Sequence, residues 1–541
     1  METIQGFTGT QYIRSAAGTV QAQAYENNNY QYATSSHASD HDMHPALIVQ
    51  PKDDADIIAA VKYAKQNGIA VAVKSGGHQY SGASSTSGAN ILIDMKPTFK
   101  ALGTDLKILN QSSGKCFVYV SVSFSLGEFN GFLAKNGLFI PHGQCADVRV
   151  GGHAQTGGYG QLGRSFGLFG DHVREIRLVD HNAEVRIIDA SSDKDLFNAI
   201  LGGSPGNFGV ITHYTVEVHR DTDYDFRSAG GLQPHGLRAV WWYNKDTVKA
   251  LLSKVAAMAD DPSFPRNYDL CISVLSSDFS LFDLVPEIDG VMKRDHPEIY
   301  GLDGMPNWPP TVILYAQWVP LSKDDKYDPK WFEALNKAGK WQLLSQTFDQ
   351  PMSEMTGEWI FKQPREFDHP YEKRTYMTNS TSLTKDGWVD VVSSQIHKVL
   401  HTDLTSELWQ NCWLSVQIQC FGGQNSKFRT NADNGMSYSW RDSTVCQVLD
   451  CFHESLYKKT ADAWQAENDK LFVGPTSCFS KQDKRVLWGS YGNWNLHNVR
   501  ACYYEDEAKY KHLQQVRAVA DPDGTFTPNP FAVKRAVVAK I

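Results

Sequence analysis

The sequence from Pro141 to Asp171 reads PHGQCADVRVGGHAQTGGYGQLGRSFGLFGD. It holds nine glycines and a single cysteine, Cys145. Glycine weakens the interior of a helix or strand, so this density predicts no regular element here. Glycine also lets another molecule approach the backbone closely. Because Val, Leu, Phe and Tyr are interleaved, whereas flexible linkers combine Gly with Ser, we expect an ordered loop around a flat or phosphorylated ligand.

Two further glycine-rich turns lie on either side of this stretch. The first is Lys74-Ser75-Gly76-Gly77-His78-Gln79-Tyr80-Ser81-Gly82, and the second spans 202–212. A strand that ends in such a turn brings backbone N–H groups together, and these can bind an anion. The first turn is not a Walker loop, because no Gly-Lys-Ser/Thr follows it, and it does not match the Gly-x-Gly-x-x-Gly fingerprint that opens a helix.

Length, charge and cysteine usage narrow the class of protein. A chain of 541 residues is too long for one core, so two or more domains are expected. The net charge of −8 and the lack of a basic run argue against a nucleic-acid partner. No apolar run approaches the length of about 18 residues that a membrane span needs. The nine cysteines are scattered, which favours neither a disulfide framework nor a metal site.

Localisation is predicted from the N-terminus. It lacks the charged and apolar regions of a secretory signal, so an intracellular, cytoplasmic protein is expected unless a signal has been removed.

The hydrophobic pattern of the first half predicts strands alternating with short helices. We expect a helix over Asp53–Asn67 and a helical turn over Asp195–Leu201. The hairpin Val173–Val179 with Ala183–Ile188 is predicted around Asp180-His-Asn. The remaining predicted strands are Pro45–Pro51, Ile69–Val73, Ile91–Asp94, Cys116–Val122 and Tyr214–His219.

The second half predicts an antiparallel sheet with helices covering one face. Strand-like runs are Leu270–Leu275, Thr311–Trp318 and Leu414–Cys420, and helix-like runs are Lys245–Met258, Lys385–Leu400 and Thr444–Asp469. We therefore expect an α+β protein with a surface arm at 1–43, a ligand-binding domain at 44–220, a substrate-binding domain at 221–480 and a segment at 481–541 that returns to the first domain.

The three glycine-rich turns, taken in order, resemble those of the vanillyl-alcohol-oxidase-type flavoproteins, and within them the berberine-bridge-enzyme-like branch, which includes oligosaccharide oxidases. The tail agrees, since Tyr491-Gly-Asn493-Trp494 is similar to the branch's Tyr-x-Asn-Tyr and 503–526 is similar to its closing segment. The resemblance covers about residues 44–530. It implies the two-domain fold with a PCMH-type FAD-binding domain and a small-molecule substrate. We also expect a monomer, with no nucleic-acid or membrane partner.

In this family one histidine and one cysteine attach the isoalloxazine ring of FAD covalently, and His78 and Cys145 match those positions. A thiolate or imidazole in a turn open to a flat ring is a competent nucleophile. Without the resemblance, the interpretation of Cys145 is a buried structural thiol, and that of His78 is a turn histidine hydrogen-bonded to its own loop.

The resemblance also implies which residues contact the cofactor. His153 is as well explained by a structural bond to the loop as by a cofactor contact. The implied set is Ser75, Gly76, Gly77, Tyr80, Ser81, Gly82, Val148, Gly151, Gly152, His153, Thr156, Gly157, Gly158, Gly160, Asn207, Gly209, Ile211 and Asn493.

Val148 bears on the electron acceptor. A small valine at this position accompanies reaction with oxygen in the family, and a leucine accompanies dehydrogenase behaviour. The resemblance thus implies an oxidase that produces hydrogen peroxide. Arg149 departs from the family's usual glycine, which weakens the comparison at this point, and a packing role for Val148 is the alternative.

The catalytic base is the other departure from the family pattern. The first tyrosine of the motif is present as Tyr491, but the second is Trp494, whose indole cannot accept a proton. Tyr491 is therefore the preferred base. If the missing tyrosine is the family's base, another acceptor from the second domain must serve. Tyr438 and Arg441 are further candidates for the substrate side of the flavin.

Three functions remain open. The first is oxidation of a hydroxyl-bearing carbon of a carbohydrate or polyol. The second is alcohol oxidation or oxidative ring closure of a secondary metabolite. The third is a flavin-binding protein whose oxidase turnover is weakened or lost. All fourteen tryptophans follow residue 240, so they can form either stacking platforms for a substrate or an aromatic core.

Overall fold

The computed structural model describes most of the chain, with gaps. The described residues are 2–15, 17–29, 43–79, 84–109, 114–276, 288–301, 306–360, 370–378, 387–423, 425–472, 503–526 and 533–536, together with 281, 285, 304 and 383–385.

The first sheet is small and mostly parallel. Its strands are β1 (Thr10–Ile13), β2 (Pro45–Gln50), β3 (Val71–Lys74) and β4 (Gly88–Asp94), in the order β1-β2-β4-β3 with β1 antiparallel to β2. Helix α1 (Val20–Asn29) precedes β2, and α2 (Asp54–Gln66) connects β2 to β3. The Asp53 side chain caps α2 by accepting from the amides of Ala55 and Asp56. The turn that contains His78 follows directly from the end of β3 in this sheet.

The second sheet is antiparallel and lies beside the first. Its path is β5 (Leu106–Leu109), β6 (Cys116–Ser121), β10 (Val210–Arg220), β8 (Val173–Val179) and β9 (Val185–Ile188), and β7 (Leu138–Phe139) also pairs with β10. The predicted β8–β9 hairpin is confirmed. The helices of this part are α3 (Leu126–Ala134), α4 (Val150–Gln155) and α5 (Lys194–Ile200). One hydrophobic core joins both sheets.

The third sheet has seven antiparallel strands. In spatial order they are β14 (Gln342–Phe348), β11 (His235–Trp242), β13 (Thr311–Trp318), β12 (Tyr268–Leu275), β16 (Cys412–Cys420), β17 (Val445–His453) and β15 (Tyr371–Thr378). The helices of this half are α6 (Lys245–Asp260), α7 (Ile288–Asp295), α8 (Lys330–Asn336), α9 (Met352–Met355), α10 (Trp388–Leu400), α11 (Glu407–Asn411), α12 (Lys427–Thr430) and α13 (Lys458–Phe472).

The two faces of the third sheet differ in chemistry. Ile272 and Val416 share a separate core with Trp388 and Trp464 of the helices. The α+β class and the antiparallel sheet covered by helices are therefore confirmed, although residues of α7 and α9 also pack on the other face, in a core with Ile313 and Tyr315. Alternate residues on the same strands point to the other face, where β12 meets the glycine-rich loops: the amides of Arg164 and Ser165 donate to the carboxylate of Asp269. The second half thus covers the loops of the first.

The described part of the C-terminal segment packs on the first part of the chain. It contains helix α14 (Glu507–Ala520). The amide of Val71 donates to the carbonyl of Thr525 over 2.7 Å, and the hydroxyl of Tyr504 donates to the carbonyl of Gly203. The tail is thereby fixed next to β3 and the third glycine-rich turn.

One predicted element is wrong. The run Thr444–Asp469 is expected as a single helix, but it forms β17 followed by α13. β17 is buried along its whole length, so both of its faces are mainly apolar and the period-two alternation that marks a half-exposed strand is missing. A short, continuous apolar run of this kind cannot be separated from a buried helix by periodicity.

Two regions carry more regular structure than expected. Residues 1–43, predicted as a surface arm, contain β1, which pairs with β2, and α1, whose Tyr25 is buried. The glycine-rich stretch contains the short helix α4, which includes Gly151 and Gly152. The reason for the helix lies in packing: a Cβ on Gly151 would stand only 2.8 Å from the Cβ of Val122, so glycine allows this helix to approach the neighbouring strand.

No helix in the described ranges is long and apolar enough to cross a bilayer.

Candidate active site

A cavity lies between the glycine-rich loops and the polar face of the third sheet. It contains about 1460 Å³ of space, counted to include its open mouth. All three glycine-rich turns contribute to its wall. Of the predicted site residues, those that line it are Ser75, Gly76, Gly77, His78, Cys145, Val148, Gly151, Gly152, His153, Thr156, Gly209 and Ile211.

The turn that carries His78 follows directly from β3. The last residue of the strand, Lys74, is buried and ion-paired with Asp94 over 3.2 Å, and burial lowers the pKa of its ammonium group. Gly77 then adopts a φ of 70°, which favours glycine. A Cβ on Gly76 would lie 2.6 Å from the side chain of Arg149. The turn is therefore packed against the Cys145 loop, and both loops face the same cavity.

The Cys145 loop is held against the start of α3 by backbone hydrogen bonds. The amide of Gly127 donates to Ala146 over 3.0 Å, and that of Leu126 donates to Val148 over 2.8 Å. The side-chain amide of Gln144 reaches Cys271 on β12, 3.7 Å away. Cys145 itself is only half-buried. Its thiol is thus placed on the cavity wall by contacts to both halves of the chain.

Helix α4 continues the wall. A Cβ on Gly152 would meet no atom within 4 Å, and Gly152 lines the cavity, so a larger residue there would project into it. Gly206 and Gly209 of the third turn have positive φ values of 77° and 136°. The glycines therefore serve two purposes: some allow tight packing between loops, and others leave space for a ligand.

His153 fits both alternatives offered by the sequence. Its Nε2 accepts a hydrogen bond from the amide of Gly143 over 3.2 Å, and it also lines the cavity. Burial lowers its pKa to about 3, and that of the neighbouring His142 to about 4. Both imidazoles are neutral near pH 7, so they bring no charge to the site.

Several predicted residues lie behind the wall instead of on it. Gly157, Gly158 and Gly160 are described but do not line the cavity. A Cβ on Gly160 would stand 1.9 Å from the carbonyl oxygen of His142, so it supports the loop from beneath. Asn207 is buried, and its side-chain oxygen accepts from the amide of Val533 over 2.7 Å. It fixes the C-terminal segment.

Tyr438 also lies behind the loop. Its ring fills the space left by the missing side chain of Gly157, where a Cβ would be 1.9 Å from Cε2. The other candidate, Arg441, is paired with Asp171. These positions do not support the predicted catalytic role of Tyr438 or a place for Arg441 on the substrate side. Tyr80, Ser81, Gly82, Tyr491 and Asn493 lie outside the described residues.

The opposite wall is formed by side chains that the sequence reasoning missed. Lys373 on β15, Gln417 and Gln419 on β16, and Asp450 on β17 line the cavity. Lys373 and Asp450 are cross-strand partners with an ion pair of 3.0 Å, and each side chain is 5% exposed or less. The alternation Ser415-Val-Gln417-Ile-Gln419 in β16 is the signal that could have found the two glutamines.

Tryptophan does not occur among the described residues that line the cavity. Trp241, Trp318 and Trp388 are instead among the largest fully buried side chains. For these, the aromatic-core alternative holds and the stacking-platform alternative does not.

Comparison with known proteins identifies the ligand that such loops bind. Residues 45–189 match a family model described as FAD binding domain. Berberine bridge enzyme-like 12 of Arabidopsis thaliana is 34% identical over 174 residues, which is 32% of this chain and 32% of that protein. The chain thus matches about a third of the length of such curated relatives.

Solved structures extend the likeness to the whole fold. Wild-type BBE-like 1 of Physcomitrella patens superposes with a TM-score of 0.69 at 16% identity and 98% coverage of both chains. Glucooligosaccharide oxidase from Acremonium strictum, described with a 6-S-cysteinyl, 8 alpha-N1-histidyl FAD, gives 0.67 at 15% identity and 98% coverage of both chains. The predicted fold is confirmed, and sequence similarity to the berberine-bridge-enzyme-like proteins supports the resemblance over about a third of the chain.

Proposed function

We propose that this chain, with the FAD-binding domain and fold of the berberine-bridge-enzyme-like flavoproteins, oxidises a hydroxyl-bearing carbon of a carbohydrate or polyol with oxygen as the electron acceptor. One observation carries the proposal: a single cavity has the two candidate flavin anchors on one wall and the polar side chains of Lys373, Gln417, Gln419 and Asp450 on the other. Bound FAD would accept a hydride from the substrate and pass two electrons to O2, which yields hydrogen peroxide.

The residues of the cavity suit FAD. Its loops combine glycines that leave the backbone open with turns that bring amides together, as a flat ring and a pyrophosphate require. In this proposal His78 and Cys145 hold the ring covalently. The support is their shared place on the wall, the partial exposure of Cys145, and the covalent histidyl and cysteinyl attachment described for the glucooligosaccharide oxidase.

The facing wall supports the substrate class. Gln417 and Gln419 offer amide donors and acceptors, and Lys373 and Asp450 offer charged ones. Hydroxyl groups of a sugar or polyol can satisfy such groups, whereas a flat apolar substrate would leave them desolvated. This observation favours a carbohydrate over the secondary-metabolite alternative.

Tyr491 remains the proposed acceptor of the hydroxyl proton. The support is its position in the Tyr-x-Asn motif. Replacing it with phenylalanine should lower the rate of flavin reduction by about 10²- to 10⁴-fold, the usual contribution of general base catalysis. If Tyr491→Phe reduces at the wild-type rate, the proton goes elsewhere, and Asp450 is the carboxylate found among the described lining residues.

Anaerobic titration with sugars, alcohols and phenolics tests the function. Bleaching of the flavin absorption band by a sugar or polyol, and its return on admission of air with release of peroxide, is the expected result. Bleaching only by phenolic or alkaloid-like compounds would support the secondary-metabolite alternative. Absence of bleaching by every compound, although dithionite bleaches the band, would favour a flavoprotein without oxidase turnover.

A further inference from the structure

A second cavity opens on the other side of the glycine-rich stretch. It contains about 940 Å³, counted to include its mouth, and shares no lining residue with the first. Its wall combines His172 and His219 of the first half with Arg266 of the second half and Lys427 at the start of α12. The cavity therefore lies where three separate segments of the chain meet.

Two cations in this wall have no carboxylate partner. Arg266 and Lys427 are half-buried and form no ion pair within the described residues. A half-buried guanidinium or ammonium group without a counter-ion is unfavourable, because part of its hydration is lost and nothing replaces it. An anion in the cavity would supply the missing charge to both.

The nearby carboxylates do not neutralise them. Asp171 also lines the cavity, but both of its oxygens are taken by the guanidinium of Arg441, and the side-chain amides of Asn431 and Asn434 donate to it as well. Asp433, between these asparagines, is exposed and does not line the cavity.

Two other charged groups near the cavity, Arg174 and Asp223, are also paired. Arg174 lines the cavity and binds Glu217 over 2.9 Å, and Glu217 also binds Lys115. Asp223, next to the lining residue Tyr224, is paired with Arg220. The carboxylates of Asp171, Glu217 and Asp223 are thus each paired with a cation other than Arg266 or Lys427.

The inner wall offers a hydrogen-bond donor as well. The rings of His172 and His219 are in edge contact, 5.0 Å between centroids, and Tyr224 lies 2.9 Å from Nδ1 of His219. If the Tyr224 hydroxyl donates there, Nε2 of His219 carries the proton. Nε2 is buried and has no hydrogen-bond partner in the described structure. In that tautomer Nε2–H lacks an acceptor, and an oxyanion in the cavity that Arg266 and Lys427 also line would supply one.

We propose that this second cavity is a binding site for a small dianionic oxyanion of the phosphate class, held by Arg266, Lys427 and His219. A phosphate group carries about −1.5 to −2 charges at pH 7 and three acceptor oxygens, which matches two unpaired cations and one free donor. Burial lowers the pKa of His172 to about 4 and that of His219 well below 6.5, so both imidazoles are neutral, His219 acts as a neutral donor, and the charge comes from Arg266 and Lys427.

The location predicts the consequence of binding. Arg266 lies two residues before the start of β12, and Lys427 lies seven residues after the end of β16. An anion bound to both, and to His219, would therefore connect two strands of the third sheet to the first half of the chain. A ligand that binds only the folded state stabilises it by mass action. Binding should therefore raise the unfolding temperature, independently of any oxidase activity.

The test uses the intact flavoprotein and inorganic phosphate. Calorimetric titration at pH 7.5 in chloride buffer of constant ionic strength should show one saturable phosphate site per chain, and thermal unfolding should shift upward with the same concentration dependence. The double variant Arg266→Gln/Lys427→Gln should bind phosphate at least tenfold more weakly. The control Lys135→Gln/Lys254→Gln makes the same charge change at exposed lysines elsewhere and should bind as the wild type does.

Further titrations with other anions identify the ligand class, and single variants control for loss of folding. Sulfate should bind comparably and acetate at least tenfold more weakly. A phosphomonoester such as glycerol 2-phosphate distinguishes two kinds of natural ligand. If the site binds the phosphate group of a metabolite, the monoester should bind more tightly than inorganic phosphate; if the site binds the free anion, it should not. Each single variant, Arg266→Gln and Lys427→Gln, covers the case in which the double variant does not fold. Absence of a saturable phosphate site, equal loss in the control, or equal binding of acetate would overturn the proposal.

Discussion

Cys145 differs from the buried cysteines of the third sheet in being open to a cavity. Burial raises the pKa of Cys271 to about 12 and raises that of Cys446 as well, which makes these thiols poor nucleophiles. The motif around Cys145 allowed the sequence to single out one cysteine of nine. Composition alone could not have done so, since most cysteines without a disulfide are buried structural residues.

Val148 lines the flavin-side wall and is half-buried. Replacing it with leucine adds a methylene group to the cavity beside the proposed anchor. We expect Val148→Leu to slow reoxidation of the reduced flavin by oxygen roughly tenfold, about 1.4 kcal/mol of barrier, while reduction by substrate stays close to the wild-type rate. Stopped-flow reoxidation measures this. An unchanged oxygen rate would leave Val148 with only a packing role.

Asp450 and Lys373 form the charged part of the facing wall. Because a hydrogen bond to a charged group contributes about 1.5–3 kcal/mol, Asp450→Asn should weaken the apparent affinity for the reducing substrate by at least tenfold. The control is Glu372→Gln, which alters a buried carboxylate on the adjacent position of β15 that pairs with Lys458, over 3.1 Å, instead of lining the cavity. An equal loss of affinity in both variants would show a general structural effect.

Sequence reasoning could not have found this pair. Lys373 and Asp450 are 77 residues apart and lie on neighbouring strands, and nothing local to either residue indicates the other. Tyr438 illustrates the reverse case. Its neighbourhood in the sequence suggested a catalytic role, but the missing side chain of Gly157, distant in the chain, determines where its ring packs.

Helix α4 is held in place by the absence of a side chain at Gly151. A Cβ there would lie 2.8 Å from Val122 and 3.1 Å from the hydroxyl of Ser75. Gly151→Ala should therefore destabilise the protein by about 1–3 kcal/mol, the usual cost of overpacking, and should lower the flavin content. Urea denaturation and the ratio of flavin to protein absorbance measure both.

Gly131→Ala in α3 is the matched control, because a Cβ at this helical position would meet no atom within 4 Å. It should raise the stability by about 0.5–1 kcal/mol, since alanine loses less conformational entropy than glycine in a helix. Equal effects of the two substitutions would contradict the close approach of α4 to its neighbours.

The elements with clear local signals were predictable. Helix α2 has an Asp cap and an acidic first turn, and the β8–β9 hairpin has a short polar connection. β17 was not predictable because burial on both faces removes the alternation. Helix α4 was missed because glycine disfavours helices locally, and only tertiary packing shows why glycine is needed there.

The molecule as a whole should lose stability in mild acid. Burial lowers the pKa of His142 and His172 to about 4 and that of His153 to about 3, against 6.5 for an exposed imidazole. Between these values the unfolded chain binds more protons than the folded one, so folding stability falls as the pH drops below about 6.5.

Asp269 opposes this trend, because burial raises the pKa of its carboxyl group to about 7. The stability that its protonated form contributes to the folded state is lost as the pH rises towards 7. Burial also lowers the pKa of His213 and His219 and raises that of Glu372 and Asp521. Because the histidines outnumber the carboxyls, we expect the free energy of unfolding to be lower at pH 5 than at pH 7.5 by on the order of 3 kcal/mol. Urea denaturation at the two values checks the sign. Equal or greater stability at pH 5 would contradict the neutral, buried state of the histidines.

The three glycine-rich turns, in this order, resemble those of a known flavoprotein branch, and that resemblance was enough to predict the fold and the FAD-binding domain. It could not predict the cavity's facing wall or the second cavity. Both depend on how residues 235–472 are placed over the loops, through contacts such as those of Arg164 with Gly422 and Tyr268.

We propose that His78 and Cys145 both attach the FAD covalently, and acid precipitation is the direct test of this attachment. The wild-type precipitate should remain yellow, and the supernatant should contain no free flavin. His78→Ala and Cys145→Ala should each keep one link and stay yellow, whereas the double variant should release its flavin completely. Release of free FAD from the acid-treated wild type would contradict covalent attachment, and retention by the double variant would contradict these two residues as the anchors.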